Sequence, residues 1–442
     1  FIGGKPLATI TKESDEIRLE GSLPVVLDSK MSLLEILSDL LDVFETPPID
    51  DFPPLHGGLV GYLGYDIVRE VENLPHVPTD DKHLPDAKLS VIGDLIAIDH
   101  WKQRAFLISN ILITDEGSEI SLEEKYQNAI SRLEDLAEKG AVGSEEPLMF
   151  PTPLDEDLPE VISTFQTDQF CLAVEAAKEH IIDGDIFQVV LSQRFDVQLD
   201  ADPFDVYRVL RQINPSPYMY FFRYEDFTIV GASPEPMVRL IEGKVISRPI
   251  AGTRKRGKTE QEDRLLASEL KEDPKELAEH VMLLDLARND VGRVVEFGSE
   301  RVDETMTLEK YSHVMHLTSQ VSGDLRNDIS PIDVLRATLP AGTVSGAPKV
   351  RAMQIIDSLE PTKRGPYAGV VGYFDFSGNI DTAITIRTMI VKDGVASVQA
   401  GAGIVADSDP HAEDRECRNK ARALLGAIPA ARRMSSQRKS QK

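Results

Sequence analysis

Cysteine is scarce in this chain. Its 442 residues include only Cys171 and Cys417, and neither stands in a CxxC or Cys/His cluster. That argues against a disulfide framework or a zinc site and fits a reducing compartment, so a cytoplasmic protein is expected. Long apolar runs are missing as well. No uncharged stretch approaches membrane-spanning length and no signal peptide is visible, so a membrane is not an expected partner. Positive charge is in deficit: 48 Lys and Arg stand against 74 Asp and Glu, a net charge of −26. Such a chain repels nucleic acid and anionic membrane surfaces. If its substrate is an anion, the site must supply local positive charge from arginine, helix N-termini or a metal.

The length allows one large or two to three ordinary domains. Residues 1 to about 112 read as strand-rich, with runs at Pro24–Leu27, Leu89–Ile98 and Ala105–Ile113. Leu122, Tyr126, Ile130, Leu133 and Leu136 recur at helical spacing, predicting a helix from Leu122 to Lys139. Residues 140–162, rich in Gly, Pro, Asp and Glu, read as a linker. The chain thus divides into an N-terminal region at 1–150, a compact region at 160–430 and a polar, basic tail at 431–442 expected to be disordered. Phe1-Ile2-Gly3-Gly4 reads as the interior of a domain, so an N-terminal segment is expected to be absent. Gly58–Leu63 echoes Gly369–Phe374, either as two tightly packed glycine strands or as equivalent strands of two halves. Composition and periodicity alone support a mixed α and β protein.

Two segments carry carboxylates in a pattern. Asp273-Pro274 is a helix start, with aspartate as N-cap and proline in the first turn. Glu276, Glu279, Leu283 and Leu286 then share one face, so Glu279 sits on a leucine stripe where an unpaired carboxylate is costly. Asp409-Pro410 starts a second helix with Glu413, Glu416 and Lys420 on one face. That spacing by itself favours a solvated face with a Glu416–Lys420 pair; the sharper reading is four carboxylates from two helices facing one hard cation. Two small-residue stretches, Gly252-Thr253 and Gly401-Ala402-Gly403, read as loops whose backbone N–H groups can approach a carboxylate, or as tight turns. Neither has the spacing of a nucleotide-binding P-loop. Arg387 ends the strand-like run Thr382–Ile386, a place suited to bidentate carboxylate binding or to an ordinary surface arginine.

Five stretches recur together in one order: Pro249–Arg254, Asp273–His280, Gly346–Met353, Gln399–Val405 and Glu413–Arg422. In that order they resemble the anthranilate synthase component I group of the chorismate-utilising enzymes, over about Phe1 to Pro429. The resemblance implies an α+β fold: a large sandwich of mainly antiparallel sheets packed face to face, with helices outside. It implies Mg²⁺ held by Glu279 and Glu416 with Glu276 and Glu413 in support, and chorismate contacts at Gly252, Thr253, Tyr367, Arg387, Gly401, Ala402 and Gly403. Glu235, in Gly231–Glu235, matches the general acid that protonates the leaving 4-hydroxyl, a role that needs a raised pKa. His316 matches a histidine that assists aromatisation, although a lone histidine is also an ordinary core residue; Thr343 lines the site.

Two positions separate members of this group. Water-adding relatives carry a lysine base where Gln188 stands, and a neutral amide cannot deprotonate water. Aminodeoxychorismate synthases commonly place an attacking lysine where Ala251 stands. With both lysines absent, ammonia is the expected nucleophile, and anthranilate the expected product. Ammonia would come from a separate glutamine amidotransferase subunit, since no Cys/His/Glu constellation for that chemistry is present. The alternatives are an aminodeoxychorismate synthase or a non-catalytic amino-acid-binding homologue; retention of Glu235, Glu279, Arg387 and Glu416 argues against the latter.

Asn214–Tyr220 resembles the group's feedback motif for L-tryptophan, with Pro217, Tyr218 and Met219 as contacts; as bare sequence it is a proline-rich turn entering a strand. The Leu-Leu-Glu-Ser segment that completes that pocket is not in this sequence. Each unpaired polar group costs roughly 1–3 kcal/mol, so two such losses weaken binding about a hundredfold. Residues 1–442 are therefore predicted to resist tryptophan, and an N-terminally extended chain to be inhibited. Titrating ammonia-dependent activity of both forms decides this, and equal micromolar inhibition would contradict it.

Overall fold

Apolar runs far apart in sequence pair into two large antiparallel sheets in the computed structural model, which describes residues 1–28, 30–114, 120–143, 160–311 and 314–441. The larger sheet has eleven strands. Its path runs Ile250–Lys255, Val314–Asp324, Lys244–Ser247, Pro236–Ile241, Ile380–Ile384, Val370–Asp375, Gly58–Leu63, Ala87–Ile92, Ala8–Glu13 and Glu16–Gly21, with Arg301–Lys310 against Val314–Asp324. The smaller, seven-stranded sheet follows Tyr218–Arg223, Phe227–Ser233, Thr388–Lys392, Val395–Ile404, Gln188–Gln198 and Gly346–Ala347, with Ile162–Ser163 beside Gln188–Gln198.

The two sheets meet face to face through Tyr62, Val371 and Ala383 of the larger and Phe227 and Ile229 of the smaller. Tyr220, Phe222 and Tyr224, at alternate positions from an edge strand onward, stack along this layer at 6.1 and 6.2 Å between ring centres. Helices cover the outer faces. Leu33–Val43, Pro274–Gly292 and Pro331–Thr338 pack on the larger sheet; Thr167–Ile182, Pro203–Ile213, Lys349–Leu359 and Pro410–Leu425 pack on the smaller. The N-terminal strands of residues 8–92 join those of residues 236–384 in one sheet, so the halves share a core. The two echoing segments are neighbours there, with Gly61 opposite Gly372. No described helix is long and apolar enough to cross a membrane.

Several expectations need correction. Residues 431–441 of the tail expected to be disordered continue a helix, Ile428–Gln441. Its polar composition hides a stripe of Ala427, Ile428, Ala431, Met434 and Ser435 at helical spacing, all buried, and Ser435 donates to Asp205 at 2.6 Å. Pro24–Leu27 forms no strand; proline supplies no N–H, and Val26 is fully exposed. Leu89–Ile98 breaks at Gly93 into Ala87–Ile92 and Asp94–Asp99; the second joins Ile2–Gly3 and Arg104–Ser109 in a small separate sheet. Ala105–Ile113 stops at Ser109. The helix expected at Leu122–Lys139 spans Leu122–Ala141, capped by Ser121. Of the expected linker, residues 144–159 lie outside the described residues.

One buried ion pair ties the sheets to the helices. Arg364 donates to Glu360 Oε1 and Oε2 at 2.6 and 2.9 Å, and to the carbonyls of Val344 and Val190 at 2.7 Å each. Glu360 also accepts from the Ser192 amide and hydroxyl at 2.8 and 2.9 Å. Removing one partner of such a pair strands a buried charge, at about 3–5 kcal/mol. Glu360→Gln is predicted to lower stability to unfolding by about that amount, and adding Arg364→Met to restore part of it. Denaturant midpoints of both variants test this; an unshifted midpoint for Glu360→Gln would refute it.

Candidate active site

The two helix starts form as the residues dictate. Asp273 Oδ1 accepts from the Lys275 and Glu276 amides at 3.0 and 3.4 Å, and Asp409 Oδ1 accepts from Ala412 at 2.7 Å. These caps fix the direction in which each carboxylate face points. Glu279 is partly buried and accepts from Gln188 Nε2 at 3.3 Å. Burial raises its pKa; the Gln188 bond opposes this, while the Glu276 and Glu416 charges reinforce it. Burial likewise raises Glu413, with Ser408 opposing and Glu416 reinforcing. Glu276 pairs with Arg254 and Glu416 with Lys420, each at 2.7 Å.

Among the described residues no three carboxylate, thiolate or imidazole groups already converge at metal-ligand distance. The two helices nonetheless bring Glu276, Glu279, Glu413 and Glu416 near enough to perturb one another. Carboxylates repelling one another in this way would be relieved by a hard cation.

The two glycine stretches are strands, not loops. Gly401, Ala402 and Gly403 continue the strand Val395–Ile404, opposite Ser192, Leu191 and Val190. The neighbouring strand Thr388–Lys392 reaches only to Val398, so the second edge opens beyond that point. Lys420 Nζ donates to the Gly401 carbonyl there at 2.8 Å. In an antiparallel ladder a residue's N–H and C=O point to the same side, so the Gly401 amide faces that open edge too. A side chain at Gly401 would meet Tyr367 Oη at 2.8 Å, and one at Gly403 would collide with Gln188 Nε2. Gly252 is likewise a strand residue: it forms a bulge in Ile250–Lys255, with φ +74°, and its open side faces Glu276 Oε2. Tight turns and bulges look alike in sequence; the distant partner strands decide between them.

Glu235 follows the end of Phe227–Ser233 and is buried. Burial raises its pKa to about 7, while the Thr343 hydroxyl and the Lys420 ammonium pull it down. Thr343 Oγ1 is itself buried without a well-formed hydrogen bond. Both residues line a pocket open to solvent on one side, together with Leu283, Leu286 and Ile384. His316 Nδ1 lies 3.0 Å from Thr253 Oγ1 and 3.3 Å from the Gly252 carbonyl; burial lowers its pKa. Arg387 adopts φ +50°, a left-handed conformation uncommon for a side-chain-bearing residue. Burial lowers its pKa, and Tyr367 and Glu416 oppose that shift. Among the described residues no carboxylate lies within ion-pair distance of its guanidinium.

These contacts link most of the sequence-derived residues into one group. Pro217, Tyr218 and Met219 lie apart, at the edge of the smaller sheet. The Tyr218 hydroxyl donates to Asp381 at 2.8 Å, and Tyr218 stands opposite Ser233, two residues before Glu235. Sequence reasoning placed Lys420 on the face of Glu413 and Glu416 but missed its bond to the Gly401 carbonyl, and it missed Gln188 as a contact of Glu279. No local signal could have found either, because each partner lies on a distant strand or helix. Cys171 and Cys417 sit inside helices, and burial pushes the Cys417 thiol up to about 12, so it is no nucleophile.

Comparison with known proteins gives the family. Residues 5–426 match the family described as chorismate binding enzyme, and the chain belongs to that family. Anthranilate synthase component 1 of Acetivibrio thermocellus is 49% identical over 403 residues, covering 90% of this chain and 80% of that one. The crystal structure of anthranilate synthase component I from Streptococcus pneumoniae is similar with a TM-score of 0.84 and 38% identity, over 96% and 91% of the two chains. The menaquinone-specific isochorismate synthase of Escherichia coli, at 19% identity and a TM-score of 0.69 over 95% and 88%, shares the fold.

The buried Glu235 carries a stability cost with a definite sign. At pH below 4.5 it is protonated in the folded and unfolded chain alike. As pH rises toward about 7 only the unfolded chain ionises freely, so folded-state stability is lost across that window. At 1.36 kcal/mol per unit the loss reaches about 3 kcal/mol. Glu235→Gln is predicted to be more stable than the parent at pH 8 by up to that amount and to lack the decline. Denaturant midpoints of both proteins between pH 5 and 9 test it; parallel profiles would refute it.

Proposed function

We propose that this chain is the large subunit of an anthranilate synthase, converting chorismate and ammonia to anthranilate, pyruvate and water. The observation that carries the reading is Arg387, a strained and partly buried guanidinium with no carboxylate partner within ion-pair distance among the described residues. In a chain of net charge −26, an uncompensated arginine beside Tyr367 awaits an anion, and a chorismate carboxylate satisfies it. Gly401 and Gly403, with Gly252 and Thr253, supply backbone and hydroxyl donors for the substrate around that cation, while Ala402, paired to Leu191 in the ladder, sets the spacing between the two glycines.

Glu279 and Glu416, supported by Glu276 and Glu413, would hold Mg²⁺, an ion that keeps several waters and needs few protein carboxylates. When bound, the ion neutralises the second substrate carboxylate and relieves the repulsion among these four side chains. The ammonia lone pair forms the bond to C2 as the ring double bonds shift and the C4–O bond breaks. Glu235 gives its proton to that oxygen, which leaves as water, and the ammonium formed at C2 gives up a proton to become the amine. The C2 proton is then lost as the C3–O bond breaks; the released enolate takes up one proton at carbon to become pyruvate, and the ring is aromatic. His316, beside Thr253, is placed to assist this second stage.

Ammonia is preferred over water because Gln188 is a neutral amide committed to Glu279, and over a covalent lysine because position 251 is alanine. A glutamine amidotransferase subunit would generate the ammonia, as the component 1 designation of the relatives suggests. L-Tryptophan would bind at Pro217–Met219.

Purified alone with chorismate, Mg²⁺ and ammonium salts, the chain is predicted to release anthranilate, and with glutamine none. Corrected for free ammonia, kcat/KM falls as pH rises through about 7, where Glu235 loses its proton. Glu279→Gln and Glu416→Gln abolish Mg²⁺-dependent turnover and leave the fold intact. Mass spectrometry of the product decides the matter: isochorismate or 4-amino-4-deoxychorismate as principal product would overturn the proposal.

A further inference from the structure

Two imidazoles face the same short stretch of backbone from different elements. At the bulge in Ile250–Lys255 the register passes from Ala251 opposite Leu317 to Thr253 opposite His316. His316 approaches the Gly252 carbonyl from the neighbouring strand. His280, on the helix Pro274–Gly292 and fully buried, faces the backbone of the preceding residue, Ala251.

The hydrogen-bond network around His280 fixes which ring nitrogen carries the proton. Ser319 Oγ accepts from the Met306 amide at 2.9 Å and lies 2.6 Å from His280 Nε2. The Ser319 hydroxyl proton has no other acceptor among the described residues, so it goes to Nε2. Nε2 is then an acceptor, the ring is neutral, and the remaining hydrogen sits on Nδ1. A charged ring would present N–H to Ser319 and strand that hydroxyl proton. Nδ1 is buried without a completed hydrogen bond among the described residues and lies toward the Ala251 backbone, whose carbonyl is the group that can take a donor.

We propose that His280 is a positioning residue whose Nδ1–H, oriented by Ser319, holds the Ala251 carbonyl and so sets the Gly252–Thr253 bulge for substrate. This rests on the assignment of Gly252 and Thr253 as substrate contacts. The chain Met306–Ser319–His280–Ala251 couples two strands and the carboxylate-bearing helix to one bulge, which gives a helix residue with no substrate contact control over binding geometry.

Two side chains separate the halves of the ring. His280→Asn keeps a donor at the Nδ1 position, and His280→Gln keeps a group at the Nε2 position only. His280→Gln is expected to raise the KM for chorismate about tenfold with kcat little changed, because a contact shared by ground and transition states is lost. His280→Asn is expected to raise KM by less than about threefold. Equal KM in both variants, or an equal fall in kcat at unchanged KM, would overturn the proposal. Independently of turnover, long-range ¹H–¹⁵N correlation on histidine-labelled protein should show His280 as the Nδ1–H tautomer; an Nε2–H tautomer would overturn it. Failure of the parent chain to consume chorismate would instead overturn the functional reading and leave the tautomer result standing.

Discussion

The buried Glu360–Arg364 pair is the constraint on which the site floor depends. Arg364 reaches the carbonyls of Val190, on a strand of the smaller sheet, and Val344, in the short turn that carries Thr343. Its guanidinium lies over the rings of Tyr65 and Tyr367, at 4.8 and 5.6 Å. Glu360 holds Ser192, whose hydroxyl also accepts from Gln399 at 2.9 Å. One ion pair therefore fixes the strand beneath Gly401, the turn beside Glu235 and the tyrosine beside Arg387. A hydrophobic replacement of similar volume could stabilise the core as well. It could not direct donors at two specified carbonyls, and that directionality keeps the Thr343 turn and the Gly401 strand in one fixed relation.

The sheet arrangement explains why the N-terminal half belongs to the site although it contributes none of the candidate site residues. Gly58–Leu63 lies against Val370–Asp375 near the middle of the larger sheet. Tyr65, two residues beyond that strand, packs under Arg364. Loss of strand pairing in the first half would thus disturb Arg364 and, through it, Tyr367. The coupling runs through packed side chains and short hydrogen bonds, so it needs no direct contact between the first half and substrate.

Local features of this fold were legible in the sequence, and non-local ones were not. Asp273-Pro274 and Asp409-Pro410 announce helices because a cap acts within three residues, and the i, i+3 carboxylates follow from helix geometry alone. Gly401–Gly403 and Gly252 misled because glycine marks a turn, a bulge or a close strand contact alike, and the choice is made by Leu191 or Leu317 on another strand. The helix at Ile428–Gln441 was hidden because a narrow stripe of small residues suffices when Asp205 supplies a buried polar anchor. Glu360, Arg364 and Ser192 carry no signature at all: an i, i+4 pair looks like an exposed helix pair until its surroundings are known. The resemblance supplied an expectation that spacing could not, namely which glycine, arginine and carboxylate belong together.

Arg387 shows how the acidity of the chain and the chemistry of the site are reconciled. A net charge of −26 sets a field that repels an anionic substrate, and screening by salt confines the repulsion to about 10 Å. Inside that distance the site must be locally positive. Most arginines near the sheets are consumed by carboxylates: Arg254 by Asp273 and Glu276, Arg194 by Asp81 and Asp196, Arg69 by Asp66 and Asp357. Arg387 is kept out of this trade by its backbone. Its carbonyl receives the Ala232 amide at 3.1 Å, and the left-handed turn at φ +50° directs the chain back into Thr388–Lys392. A strained conformation of this kind costs of order 1–3 kcal/mol and persists only where the surroundings impose it. Here the ladder between Phe227–Ser233 and Thr388–Lys392 imposes it, so the energy of strand pairing holds the Arg387 guanidinium beside Tyr367 with no ion-pair partner among the described residues.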